Sequence, residues 1–100
     1  MKTSITEQNG VMTAILEGRL DTAAAQQAER ELSPLYDCSD HDIILDCTQL
    51  EYISSSGLRI FLGILKNAKS KGHHVYIKNI NYDLRNVFAI TGFANLFEFK

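Results

Sequence analysis

The sequence has little of what stabilises small secreted domains or holds structural metal ions. Its 100 residues include one proline, no tryptophan and two cysteines, Cys38 and Cys47. Two cysteines without the spacing of a metal site fit free thiols in a reducing cytosol better than a disulfide. We therefore expect a cytoplasmic protein whose fold depends on buried apolar side chains.

The chain also lacks a strong excess of positive or negative charge and any long apolar segment. The net charge is −2 and no basic block occurs, which argues against direct binding of nucleic acid. No apolar run reaches the roughly 18 residues of a membrane span, and the first four residues lack the apolar stretch of a secretion signal. A 45% apolar content fits one globular domain over residues 1–100 with a single core.

Strand-like and helix-like segments alternate along the chain. Asn9-Gly10 separates two strand-like runs, residues 3–8 and 11–17, and favours the positive φ angles of a hairpin turn. The apolar period then predicts a helix at 23–35, a strand at 43–45, a helix at 58–71, a strand at 74–79, a helix at 82–90 and a short final strand. This order favours an α/β fold with a mixed sheet and parallel crossovers.

The central segment, residues 43–62, contains the most informative pattern. Residues 43–45 form a continuous apolar run, as expected for a strand covered on both faces, and a polar turn follows. Residues 54–57, three serines and a glycine, then stand where the next helix begins. In open α/β sheets, ligands and partners bind at the carboxyl ends of strands, so this helix start is a candidate site.

A helix start has unpaired N–H groups and a partial positive charge, so it accommodates a serine cap or a phosphoryl group. Ser54 or Ser55 as an ordinary N-cap is the simplest interpretation. Three consecutive serines exceed the one that capping needs, and Gly57 has no side chain to keep a partner's backbone away. A phosphorylated serine is therefore the alternative interpretation.

Other helix positions leave alternatives open as well. Asp21 or Thr22 can cap the first helix, and Asn81 can cap the third. Ile60 and Ile64 lie off the main apolar stripe of the second helix. They face either a neighbouring helix or a partner protein.

Catalytic and metal sites are not predicted, so we do not expect an enzyme. A nucleophile elbow needs Gly-x-Ser-x-Gly, and Ser54 occupies the place of the first glycine before Ser56. Nothing places His73 or His74 near Ser56, and their spacing with the cysteines is not that of a metal site. The chain also lacks a glycine-rich phosphate loop with lysine, so ATP and Mg²⁺ would be held by a partner kinase.

Residues 46–48 (Asp-Cys-Thr) and 52–59 (Tyr-Ile-Ser-Ser-Ser-Gly-Leu-Arg) closely resemble the core motif of the STAS domain family. That family includes bacterial anti-sigma factor antagonists and the cytosolic domains of sulfate transporters. The resemblance extends over nearly the whole chain and implies a small mixed sheet, opened by an antiparallel hairpin, with helices mainly on one face. In the antagonists a kinase phosphorylates the serine directly before the glycine, here Ser56. Ser54 departs from the Asp that sporulation-type antagonists commonly have before the serine pair.

The resemblance implies an anti-sigma factor antagonist that acts by partner switching. The unmodified chain would bind an anti-sigma factor that is itself a serine kinase, and this binding would free a sigma factor for transcription. Phosphorylation of Ser56 would release the partner, and a PP2C-type phosphatase would reset the state. The implied partner surface consists of Asp21, Ser54, Ser55, Gly57, Leu58 and Arg59. Asp46 would either help to position the turn or the approaching kinase, or be a purely structural strand-end acid. Asp21 and Arg59 are either rim contacts or solvated charges.

Two further interpretations remain open at this point. A non-switching STAS scaffold, such as a subunit of a lipid-transport ATPase or a stress-signalling complex, would use the same surface with Ser56 as a turn residue. Adjacent genes for a serine kinase or a phosphatase favour switching, whereas transporter genes favour a scaffold. A small-ligand sensor is supported only by the usual location of clefts in α/β folds.

Overall fold

The computed structural model describes residues 1–37 and 41–100. Its elements are, in chain order, β1 Lys2–Gln8, β2 Val11–Leu20, α1 Thr22–Glu31, a 3₁₀ turn Ser33–Leu35, β3 Asp42–Ile53, α2 Ser55–Ser70, β4 Val75–Lys78, α3 Tyr82–Ile90, a second 3₁₀ turn Phe93–Asn95 and β5 Glu98–Phe99. The strands form one sheet in the order β1-β2-β3-β4-β5. β1 and β2 are antiparallel, and the remaining neighbours are parallel. The predicted mixed α/β sheet is therefore confirmed.

The opening hairpin forms as predicted, since Asn9 and Gly10 both have positive φ angles, 54° and 77°. β2 lies between β1 and β3 and continues to Leu20, three residues beyond the predicted end. Gly18, with φ at 99°, stands beside one of the two register shifts between β2 and β3. A glycine tolerates this backbone conformation, so the strand can bend there and continue.

β3 differs from the prediction in two ways. The polar turn expected after residue 45 is absent, and the strand continues to Ile53. It continues because Cys47, Leu50 and Ile53 still face the core while the polar side chains between them face solvent. The strand is also covered on one face only, because Ile44 is half-buried between two fully buried neighbours. Alternation of this kind is typical of a sheet with one solvated face.

All three helices contribute to one core on a single face of the sheet, as predicted. In its centre, the Phe61 ring of α2 lies 6.2 Å from the Phe88 ring of α3 and 6.5 Å from the Phe97 ring, measured between centroids. Ile60 and Ile64 are buried, 6% and 0% exposed, so both pack in this core and do not lie on an exposed surface.

The helix boundaries follow local chemistry. α1 ends at Glu31, earlier than predicted, because Pro34 lacks an N–H and the chain continues as a 3₁₀ turn. α3 begins where predicted, and the Asn81 side chain accepts a hydrogen bond of 2.8 Å from the Leu84 N–H. Cys47 is buried and free, whereas Cys38 lies outside the described residues. No helix in the described part of the chain is long and apolar enough to cross a membrane.

Candidate functional site

Two helix N-termini lie side by side at the carboxyl edge of the sheet. β2 and β3 are parallel neighbours, and their last residues, Leu20 and Ile53, are paired. The N–H of Ser54 donates a hydrogen bond of 2.8 Å to the Leu20 carbonyl, which ties the two strand ends together. α1 and α2 begin directly after these strands. Their positive dipole ends therefore act on the same small region.

The caps of these two helices are now defined. The Asp21 carboxylate accepts a 2.8 Å hydrogen bond from the Ala24 N–H, so Asp21 and not Thr22 caps α1. The Ser54 hydroxyl accepts a 3.2 Å hydrogen bond from the Gly57 N–H and caps α2. Ser54 is only 8% exposed, so its hydroxyl has a structural task. Two serines remain beyond the one that capping needs.

Ser55 and Ser56 occupy the first two positions of α2 and differ in their surroundings. Ser55 is exposed, whereas Ser56 is half-buried and lines an open groove of about 490 Å³ between α1 and α2. The groove is lined by Thr22, Ala25, Gln26, Glu29, Tyr36, Ser56, Arg59, Ile60 and Gly63. A phosphoryl group on Ser56 would therefore lie at the mouth of this groove, beside two helix N-termini.

Gly57 and Leu58 are not at the surface, which corrects the expectation that a partner approaches closely at Gly57. A β-carbon at position 57 would lie 2.7 Å from Leu20 Cγ and 2.9 Å from Ile53 Cγ1. Leu58 is 4% exposed and packs in the core. The glycine is needed because α2 begins in close contact with the strand ends, so both residues act by holding the helix in place.

Asp46 is not brought to the serines. Its carboxylate accepts hydrogen bonds from the N–H and the hydroxyl of Thr48, two residues further along β3. Eight positions of extended chain separate it from Ser54, about 26 Å. The structure therefore places Asp46 within the strand, where it binds a local neighbour rather than the helix start.

Arg59 and Tyr36 complete the groove. Arg59 is exposed and follows Ser56 by three residues on α2. The Tyr36 hydroxyl donates a 3.3 Å hydrogen bond to the Ile60 carbonyl, and a β-carbon at Gly63 would lie 2.7 Å from that hydroxyl oxygen. Burial raises the pKa of Tyr36, and the nearby Glu29 carboxylate raises it further. Tyr36 is therefore a neutral hydrogen-bonding group in the groove.

Sequence reasoning missed the α1 wall of the groove and Tyr36. The residues concerned are Thr22, Ala25, Gln26, Glu29 and Tyr36, together with Gly63 of α2. Most lie more than twenty residues from Ser56, and no local motif connects them to it. The polar side chains of α1 indicate that one face of this helix is exposed to solvent. They do not indicate which element lies beside that face.

The histidines lie elsewhere in the fold. Among the residues that the structure describes, three histidine–carboxylate pairs form: His41 with Glu7, His73 with Asp42, and His74 with Glu98, at 3.0, 3.3 and 2.9 Å. They lie near the amino ends of β3 and β4, at the opposite edge of the parallel sheet from the serines. Within residues 1–37 and 41–100, no group of three or more possible ligands is arranged to hold a metal ion.

Comparison with known proteins shows which family and which relatives the sequence matches. The sequence model of the STAS domain matches residues 2–100. BtrV of Bordetella bronchiseptica, provisionally named as an anti-sigma factor antagonist, is 33% identical over 97 residues, covering 97% of this chain and 84% of that protein. The anti-sigma-B factor antagonist of Staphylococcus epidermidis is 29% identical over 79 residues, covering 79% and 73% of the two chains.

The fold is also similar to that of solved structures. The anti-sigma factor antagonist SpoIIAA in its unphosphorylated form superposes with a TM-score of 0.81 at 20% identity, covering 99% of this chain and 88% of that one. The phosphorylated form of SpoIIAA, a Bacillus cell fate determinant, superposes with a TM-score of 0.75, covering 99% and 91%. At this identity the likeness shows a shared fold.

Proposed function

Because this chain belongs to the STAS domain family, we propose that it is an anti-sigma factor antagonist that switches partners when Ser56 is phosphorylated. Relatives named for the antagonist role match most of the chain, which supports the general role. In the unmodified state the protein binds an anti-sigma factor and so frees a sigma factor. It acts by binding and needs no cofactor of its own.

One observation carries the assignment to Ser56. Of the three consecutive serines, Ser54 is committed to capping α2, and only Ser56 is both half-buried and part of the α1–α2 groove. A hydroxyl in this place is accessible enough to be modified and close enough to a fitted surface to change binding. The phosphorylated form of SpoIIAA, which shares the fold, supports the idea that a domain of this fold tolerates phosphorylation.

The modification is a phosphoryl transfer from ATP held with Mg²⁺ by the anti-sigma factor kinase. The Ser56 hydroxyl oxygen attacks the γ-phosphorus, a new oxygen–phosphorus bond forms, and the bond to the ADP oxygen breaks. The hydroxyl proton passes to a base on the kinase. A PP2C-type phosphatase reverses the state by hydrolysis, in which water cleaves the serine–phosphate bond and releases inorganic phosphate.

Switching depends on a difference in how the fold and the partner interface respond to the added charge. Phosphorylation adds about −1.5 to −2 charges at neutral pH. The helix start favours this charge by roughly 0.3–1 kcal/mol, so the domain remains folded. An interface fitted to a neutral hydroxyl loses several kcal/mol, in order of magnitude, when a dianion meets it. The partner is therefore released while the fold stays intact.

The test uses the purified chain, ATP and an anti-sigma factor serine kinase from the same organism. Mass spectrometry is expected to locate one phosphate on Ser56, and Ser56→Ala is expected to remove it. Ser55→Ala is the matched control, because Ser55 is the exposed neighbour on the same helix turn and should leave phosphorylation intact.

Binding of the anti-sigma factor is measured in parallel. Ser56→Asp is expected to weaken binding at least tenfold, whereas Ser56→Ala is expected to bind as the unmodified chain does. Full labelling of Ser56→Ala would contradict the site assignment. Equal binding by the phosphorylated and unmodified chains would favour the non-switching scaffold, in which Ser56 is a turn residue.

A further inference from the structure

Ser56 and Arg59 form a pair on one helix face. They are three residues apart on α2, and both line the α1–α2 groove. Side chains at positions i and i+3 of a helix are neighbours, about 5–6 Å apart at their β-carbons. The acidic member of such a pair is best placed on the N-terminal side, which is the position that a phosphorylated Ser56 would have.

In the described part of the chain, Arg59 has no electrostatic partner before Ser56 is modified. Within residues 1–37 and 41–100, its guanidinium takes part in no ion pair and in no contact with an aromatic ring. Glu29 lines the same groove from α1, yet the two side chains do not pair. The groove thus carries an exposed cation that is available to another group.

We propose that Arg59 changes its binding partner when Ser56 is phosphorylated. In the unmodified protein its guanidinium binds a carboxylate of the anti-sigma factor, and after phosphorylation it binds the phosphoserine three residues away. This inference rests on the proposed function and adds the residue through which the phosphate acts. Arginine suits the task because its planar guanidinium binds a phosphate through two parallel hydrogen bonds.

Phosphorylation then changes the groove in two ways at once. It adds a dianion, and it withdraws the cation that held the partner's carboxylate. The Ser56–Arg59 pair, which carried one positive charge, becomes net negative, because about −1.5 to −2 charges exceed the single charge of the guanidinium. Arg59 therefore contributes to binding before phosphorylation and to release after it.

The first test needs neither the kinase nor the anti-sigma factor. Phosphoserine is incorporated at position 56 during translation, and the second pKa of its phosphate is measured by phosphorus NMR. A paired guanidinium lowers this pKa, so Arg59→Gln is expected to raise it by about 0.5 unit, the size expected for one partly exposed ion pair. Lys66→Gln removes a cation from the same helix outside the groove and is expected to leave the pKa unchanged.

The same pKa in the wild type and in Arg59→Gln would overturn the inference. That result would leave the proposed phosphorylation of Ser56 untouched, because it concerns only the group that the phosphate meets. An equal rise with Lys66→Gln would also overturn it, since the effect would then come from net charge alone.

The second test measures affinity for the anti-sigma factor in a double-variant cycle. Arg59→Gln is expected to weaken binding of the unmodified chain about tenfold, with Lys66→Gln close to wild type. Ser56→Asp is expected to weaken binding less in the Arg59→Gln background than in the wild type, because the cation that it would withdraw is already gone. Wild-type affinity of Arg59→Gln, or a full Ser56→Asp effect in its presence, would refute the role of Arg59 in binding.

Discussion

Gly57→Ala tests the contact that sets α2 against the strand ends. The added β-carbon would lie 2.7 and 2.8 Å from two atoms of Leu20 and 2.9 Å from Ile53 Cγ1, closer than real β-carbons approach. Leu20 and Ile53 are 0% and 4% exposed, so neither can move away freely. Overpacking of this kind costs about 1–3 kcal/mol, and the better helix propensity of alanine returns up to about 1 kcal/mol. We expect a net loss of roughly 1–2 kcal/mol.

Gly63→Ala is the matched control, because it adds the same methyl group to the same helix. There the new β-carbon would meet the Tyr36 hydroxyl at 2.7 Å, the far end of a half-buried side chain that can swing away. The helix gain of about 1 kcal/mol and the loss of one hydrogen bond to Ile60 nearly cancel. Its stability should stay within about 0.5 kcal/mol of wild type.

Urea denaturation followed by circular dichroism measures both variants. For Gly57→Ala the loss corresponds to a fall in melting temperature of roughly 5 to 15 °C for a domain of this size. A Gly57→Ala variant as stable as Gly63→Ala would show that α2 does not need this close contact. The reasoning about the helix start would then be wrong.

Two further predictions concern titratable groups. The His74 N–H lowers the pKa of Asp42 below its ordinary 3.8, so this stabilisation is present above about pH 4 and is lost as pH falls through the folded value. Asp42→Asn should therefore be less stable than wild type near pH 6 in urea denaturation, and a difference that persists at the lowest pH would contradict this. Burial raises the pKa of Cys47 to about 12, with Asp46 adding to the effect. In a Cys38→Ser background, a thiol reagent at about pH 8 should label only unfolded protein, and rapid labelling of folded protein would refute the burial.

Several features of this protein follow from local sequence chemistry. Asn9-Gly10 predicts its hairpin because both positions favour positive φ, and Asn81 predicts the start of α3 because its side chain can replace a missing backbone partner. The serines also mark the start of α2, although the helix begins at Ser55, three residues before the predicted start at 58. Each of these signals lies within a few residues of the structure that it specifies.

The length of β3 and the residues that surround Gly57 could not be predicted from the sequence. Both depend on the tertiary structure. A polar stretch after residue 45 reads as a turn, yet it remains a strand because β2 runs beside it and pairs with it up to Leu20 and Ile53. The same pairing brings α2 so close to the strand ends that position 57 must lack a side chain. The sequence shows that position 57 is a glycine, but it does not show which residues lie against it.

The amino-acid sequence by itself determined the order of the elements and the candidate helix caps, because these depend on neighbours along the chain, and the resemblance of its serine motif to the STAS family pointed to Ser56. Only the tertiary structure decided that α1 and α2 form the walls of one groove, and that Glu29, Tyr36 and Arg59 share it with Ser56. The physical reason is that parallel pairing of β2 and β3 joins segments more than thirty residues apart. No local sequence pattern predicts that pairing.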